Sequence, residues 1–242
     1  MSFISSQQGY PLILESILKN KQGIDVFACK CNFYNSEYYR VSLYRDLRVP
    51  FPDTLRNAVT KRQAEFLAGR FTVKQTLNDL GVEEDEVPIG NGRAPIWPDG
   101  IVASLTHTDT VAMCIAAPKH NLEFIGVDIE NNFSSDSVRE IKANIICAGE
   151  ERLLQSVKRI TMAQLLTIVF SAKESLFKAL YYSVGSYFDF HSARVSSFCF
   201  ESCMITMRLT EDLSERYLKG HEVSGCFSMD ESRVLTCVFR KV

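Results

Sequence analysis

The sequence predicts an α+β fold, and three observations lead there. Two stretches of helical apolar spacing, near residues 60–81 and 162–182, are each long enough for a full packed helix. Strand-like runs lie around them in clusters, without the constant spacing that βαβ units require. Hydrophobic residues make up 46% of the 242 and charged residues 23%, an ordinary globular balance. A chain of this length forms one large or two small units, burying about 70–75% of its unfolded surface.

The elements follow in order. The first fifty residues mix aromatics with polar groups and end in VPFPDT, where Pro50 and Pro52 mark a boundary. In TKRQAEFLAGRFTVKQTLNDLG, residues Phe66, Leu67, Phe71, Val73, Leu77 and Leu80 keep helical spacing, and Gly81 is the stop. EEDEV reads as a solvated acidic turn, and PIGNGRAPIWPDG as a loop punctuated by glycine and proline. TDTVAMCIAA and NLEFIGVDIE flank PKHN as a hairpin. Residues 135–160 look helical, broken near Ala148 and Gly149, before a long helix through MAQLLTIVFSAKESLFKALYY. Strands at about 197–209 and 233–240 close a second sheet.

Composition excludes several classes. With a formal charge of -2 and a pI near 6.1, nothing pulls the whole chain onto nucleic acid or an anionic membrane. No apolar run reaches the roughly 18 residues that span a bilayer. The beginning, MSFISSQQGYPLILESILKN, lacks the basic region of a signal peptide, so a cytoplasmic protein is expected. The eight cysteines form no CxxC pair and several sit in apolar runs, as buried free thiols do.

Four stretches carry chemistry. In GVDIE the strand period of two puts Asp128 and Glu130 on one side, with Val127 and Ile129 opposite. Carboxylates that close repel unless compensated, and a hard divalent cation such as magnesium, an oxygen-seeking ion, compensates them. The same spacing also suits a solvent-facing edge strand. In FSAKESLFKAL, Glu174 and Lys178 are spaced i, i+4 on one helix face, which suits a helix salt bridge, or a third metal carboxylate with a phosphate-facing lysine. Ser171 with Glu174 has the form of a capping box, but Thr161 with Gln164 stands better placed for one.

Arg62 and Arg70, eight residues apart, are displaced by only about 80° around a helix, and Gly69 permits a close approach beside them. Arginine forks suit phosphate, although surface arginines are commonly just solvated. SLTH places His107 before a strand, as a phosphate contact, a metal ligand or a loop histidine. No HExxH or GxxxxGK[ST] motif accompanies these residues.

Taken in order, KRQAEFLAGR, GRAPIWPDGIVASLTH, IGVDIE and FSAKESLFKAL resemble the 4′-phosphopantetheinyl transferase superfamily, in its enterobactin-synthetase component D-like branch. The resemblance runs from about residue 61 to 180, with YFDF at 187–190 a weaker continuation, and covers little of the first fifty residues. It implies a pseudodimer: two similar subdomains, 1–125 and 126–242, each an antiparallel sheet packed against a long helix, with the nucleotide between them. It implies magnesium-dependent transfer of the 4′-phosphopantetheine of coenzyme A to a serine of an apo peptidyl, aryl or acyl carrier protein. Adenosine 3′,5′-bisphosphate leaves. Asp128, Glu130 and Glu174 then correspond to the metal carboxylates, and Glu174 also to the general base. Lys178, helped by Lys173, corresponds to the lysine meeting the coenzyme A phosphates. His107, Arg62 and Arg70 correspond to the phosphate contacts, and Arg93 lies in the loop closing over the nucleotide.

The resemblance points to siderophore or other non-ribosomal peptide synthesis, with polyketide or polyunsaturated fatty acid synthesis as the alternative, and to a monomer. Competing readings are another metal-dependent phosphoryl-transfer enzyme, such as a nucleotide hydrolase, and a non-catalytic module binding coenzyme A or a carrier protein. The intact Asp128, Glu130, Glu174 and Lys178 argue against the second.

Overall fold

The computed structural model describes residues 2–21, 23–84, 86–147 and 149–242. The chain divides into two units, one running through Glu123 and including Val242, the other Phe124–Lys241. Both combine an antiparallel sheet with one long helix, so the class is α+β.

In the first unit β1 (Ile4–Gln7), α1 (Gly9–Glu15), β2 (Ala28–Tyr34) and the single turn α2 (Leu43–Asp46) precede the long helix α3 (Thr60–Asp79). Strands β3 (Ile101–His107) and β4 (Val111–Pro118) follow, giving a four-stranded sheet in the order β1-β2-β4-β3. Helix α3 lies across β2 and β4. Its Leu67, Ala64 and Ala68 pack with Tyr34, Tyr44 and Leu55, while Val73 and Leu77 pack with Ile101, Ala103 and Cys114. Burial of that apolar stripe, at about 25 cal/mol per Å², stabilises the helix more than its residue preferences do. A buried amide fixes its rotation: Asn32 Nδ2 donates to Thr72 Oγ1 and Gln75 Oε1, each at 2.8 Å. The helix stops as expected, with Gly81 at φ 73° and Val82 N–H bonded to the Leu77 carbonyl.

The second unit begins with β5 (Leu122–Asn131), then α4 (Val138–Ile145), α5 (Glu150–Ser156) and α6 (Met162–Val184). β6 (Ala193–Cys199), β7 (Met204–Leu209), β8 (Glu222–Met229) and β9 (Arg233–Lys241) complete a five-stranded sheet, ordered β5-β9-β8-β7-β6. α6 packs on β9 and β8, burying Leu165, Ile168, Val169, Ala172 and Leu176. Thr161 caps this helix through a full capping box with Gln164. Ser171 is mid-helix, its hydroxyl 2.9 Å from Thr236 Oγ1, so it caps nothing.

Some expectations change. β4 and β5 do not form a hairpin: β4 is held on both sides by β2 and β3, and β5 pairs in the other sheet. His107 precedes a strand, β4, as expected, but it also ends one, β3. The single strand expected at 197–209 is a hairpin, β6 and β7, and β8 had no sequence counterpart. The helical region after residue 135 breaks at Gly149, with φ 92°; Ala148, like Asp85 of the acidic turn, lies outside the described residues. Among the described residues no helix is long and apolar enough to cross a membrane. All eight cysteines are free, and five are buried, but Cys199 is exposed and Cys29 and Cys203 are half-buried.

Candidate active site

The carboxylate group is made by the crossing of α6 over β5. At Gly126 a β-carbon would lie 1.9 Å from the Ser175 carbonyl oxygen and 2.7 Å from the Ala179 nitrogen. Glycine therefore lets the helix backbone rest on the strand. Asp128 and Glu130 follow at the strand period, on the face that Gly126 opens to α6, and α6 brings Glu174 and Lys178 to them one helical turn apart. Lys178 Nζ donates to Asp128 Oδ1 at 2.6 Å. Asp128 is 2% exposed, which removes the reading of a solvent-facing strand edge for that residue.

The charges are not balanced, since three carboxylates face one ammonium. Burial first, then the Asp128 charge, pushes the Glu130 carboxyl up to about 7 against the pull of Lys178, with Glu174 adding to the rise. Burial also raises Glu174, opposed by Lys178 and assisted by Asp128. A cluster of oxygen-only donors with excess negative charge fits a hard divalent cation in donor type. As arranged, no group of three or more His, Cys, Asp or Glu among the described residues is set to hold a metal. The Lys178 ammonium supplies the nearby positive charge.

Lys173 is not part of this group. It stands five positions before Lys178, about 140° around the helix, which turns it inward. Lys173 is 3% exposed, and its ammonium meets Glu150 Oε2 at 2.9 Å and the Ile145 carbonyl at 2.6 Å. Glu150 in turn accepts from the backbone N–H groups of Cys147 and Val195, both at 2.5 Å. The expected phosphate contact is thus corrected to a buried ion pair, in which α6, the α4–α5 turn and β6 are tied together.

The basic residues gather in the first unit. Arg62, Arg70, Arg93 and His107 line one cavity of 660 Å³, with Phe66 and Leu105 on its apolar wall. The guanidinium of Arg70 stacks over the Phe66 ring at 5.0 Å. Gly69 brings the helix to β3, where a β-carbon would touch Leu105 Cδ2 at 3.4 Å. Arg93 sits at φ 65° after Gly92 at φ 62°, in a tight turn closed by the Gly90 N–H bonded to the Ala94 carbonyl. An arginine held in the left-handed region is strained by about 1–3 kcal/mol, the kind of strain found where a side chain must be aimed.

Two residues of these sites escaped the sequence reading. Gly126 was visible as a glycine inside a strand run, a sign of close backbone approach. Glu65, also on the cavity wall, carried no motif of its own; its carboxylate Oε2 meets Arg62 Nη1 at 3.5 Å.

Comparison with known proteins identifies the class. Residues 51–117 match the 4′-phosphopantetheinyl transferase N-terminal domain, and residues 124–238 match the 4′-phosphopantetheinyl transferase superfamily. The chain belongs to the 4′-phosphopantetheinyl transferase superfamily. Within it, the chain is similar to enterobactin synthase component D of Salmonella typhimurium, 38% identical over 62% of this chain and 62% of that protein. It is 39% identical to enterobactin synthase component D of Escherichia coli K12, over 55% of this chain and 62% of that one. The 4′-phosphopantetheinyl transferase Npt of Nocardia iowensis is 29% identical over 59% and 62%. The matched stretch therefore spans about three fifths of each relative's length. The solved Thermotoga maritima holo-[acyl-carrier-protein] synthase aligns with a TM-score of 0.36 at 19% identity, covering 50% of this chain and 65% of that one.

Proposed function

We propose that this chain transfers the 4′-phosphopantetheine of coenzyme A to a serine of an apo carrier protein, releasing adenosine 3′,5′-bisphosphate. The observation that carries the reading is the Gly126 crossing, which gathers Asp128, Glu130, Glu174 and Lys178. The names of its relatives favour carriers of siderophore or other non-ribosomal peptide synthesis. Action on a cytoplasmic carrier, as a monomer, belongs to the same proposal.

In this reading the serine oxygen bonds to the β-phosphorus of coenzyme A, and the phosphoanhydride bond to adenosine 3′,5′-bisphosphate breaks. Glu174 takes the serine proton, directly or through water; its burial raises its proton affinity toward that useful in a base near neutral pH. Lys178 stabilises charge on the phosphoryl oxygens. Asp128, Glu130 and Glu174 would hold magnesium, which would supply charge neutralisation at the pyrophosphate. Arg62, Arg70, Arg93 and His107 bind the 3′-phosphate end, where guanidinium forks match phosphate oxygens.

The test incubates the protein with coenzyme A, magnesium and a panel of apo peptidyl, aryl and acyl carrier domains. A carrier mass gain of one phosphopantetheine, lost when the carrier serine is replaced, is expected. The preferred carrier separates siderophore from polyketide or polyunsaturated fatty acid synthesis. No gain on any carrier would reject the reading.

A further inference from the structure

The cavity that holds Arg62, Arg70, Arg93 and His107 also contains a group that should not help it. Among the described residues, Glu65 is the one carboxylate in the wall of this cavity, and an anion there repels a phosphate. It is not neutralised tightly, because its contact with Arg62 is a 3.5 Å approach, at the long limit of a hydrogen bond. Its side chain is 16% exposed and lines the cavity, where a ligand can reach it. A repulsive group in a phosphate cavity has a use if the ligand places a donor beside its phosphate.

The ligand of the proposed reaction does so. A ribose carrying a 3′-phosphate has its 2′-hydroxyl on the adjacent ring carbon, and a carboxylate is a strong acceptor for a hydroxyl. Arg62 and Glu65, one helical turn apart on α3, form a donor–acceptor pair that matches an adjacent phosphate and hydroxyl. We infer that Glu65 accepts the ribose 2′-hydroxyl next to the 3′-phosphate, so that the cavity distinguishes ribose from deoxyribose. The inference rests on the proposed function and assigns Glu65 the role of a specificity residue. The repulsion it exerts on phosphate is then offset by the hydroxyl bond, and a deoxy ligand meets the repulsion alone. An acceptor that the bound ligand covers but leaves without its donor discriminates strongly against such an analogue.

Calorimetric titration of the full chain with adenosine 3′,5′-bisphosphate and with 2′-deoxyadenosine 3′,5′-bisphosphate tests this. The wild type is expected to bind the ribose compound about tenfold more tightly. Glu65→Ala should bring the two affinities to within about twofold, chiefly by improving the deoxy compound. Glu65→Gln, the same size and still an acceptor, should fall between, and it carries the test if the alanine variant does not fold. Equal binding of the two compounds by the wild type overturns the inference while leaving the proposed transfer standing. A preference that survives Glu65→Ala, with both affinities reduced alike, also overturns it and leaves Glu65 only orienting Arg62. If the wild type binds neither compound, the phosphate assignment of the cavity fails, and this inference fails with it.

Discussion

A β-carbon on Gly126 would lie 1.9 Å from the carbonyl oxygen of Ser175, a distance no non-bonded carbon and oxygen tolerate. The strand and α6 are therefore in backbone contact there, and every side chain of the carboxylate group depends on it. Gly126→Ala must push the helix away, because both nearest atoms are backbone. The expected result is a loss of about 1–3 kcal/mol in denaturant unfolding, with transfer activity reduced even where the protein stays folded. An alanine variant of wild-type stability and activity would show that the crossing is looser than described.

Asp128→Ala removes the residue bonded to Lys178 and one of the three carboxylates. Transfer should fall by at least about a hundredfold while circular dichroism remains that of the wild type. Full activity with saturating magnesium would sink the assignment of Asp128 to a metal.

The Lys173–Glu150 pair is buried on both sides, 2% and 0% exposed. Replacing one partner leaves a charge in the interior, so Lys173→Met should destabilise by about 3–5 kcal/mol. Adding Glu150→Gln removes the orphaned charge and should recover part of the loss. Unfolding curves of the single and double variants measure the coupling; additive losses would mean the pair is energetically idle.

Glu130 sets a pH dependence. Its carboxyl stands near 7 in the folded chain against 4.5 as its ordinary value, so the folded state holds the proton more tightly. The stabilising contribution is full below 4.5 and is lost as pH rises toward 7. Between those limits the metal-free wild type should lose more thermal stability than Glu130→Gln, and magnesium should narrow the gap at pH 7 and above. Parallel melting profiles for the two proteins would contradict this.

Arg62→Ala should chiefly raise the Michaelis constant for coenzyme A, because the group binds a part of the substrate remote from the reacting bond. Steady-state kinetics with a single carrier protein decide it. An unchanged constant would remove Arg62 from the phosphate cavity.

The two long helices were legible because α3 and α6 each run for more than five turns with apolar residues at helical spacing along most of their length, with Gly81 and the Thr161–Gln164 box marking their ends. The strands were less so. β3 was lost behind a loop rich in glycine and proline, and β8 has a mixed pattern in which Gly225 packs against the Cys237 carbonyl. Lys173 shows the limit of adjacency: it neighbours Glu174 in the chain, yet the helix turns it to Glu150.

By itself the sequence determined the α+β class, the i, i+4 pairing of Glu174 with Lys178 and the shared side of Asp128 and Glu130. These are consequences of local periodicity, which residue order alone sets. Only the tertiary structure decided that Lys178 bonds Asp128, fifty residues away. It also decided that the β4–β5 hairpin is not formed and that Glu65 shares a cavity with three arginines. Those outcomes depend on which strand each edge finds and on how closely a helix can approach a glycine, and neither is a property of any short stretch of chain.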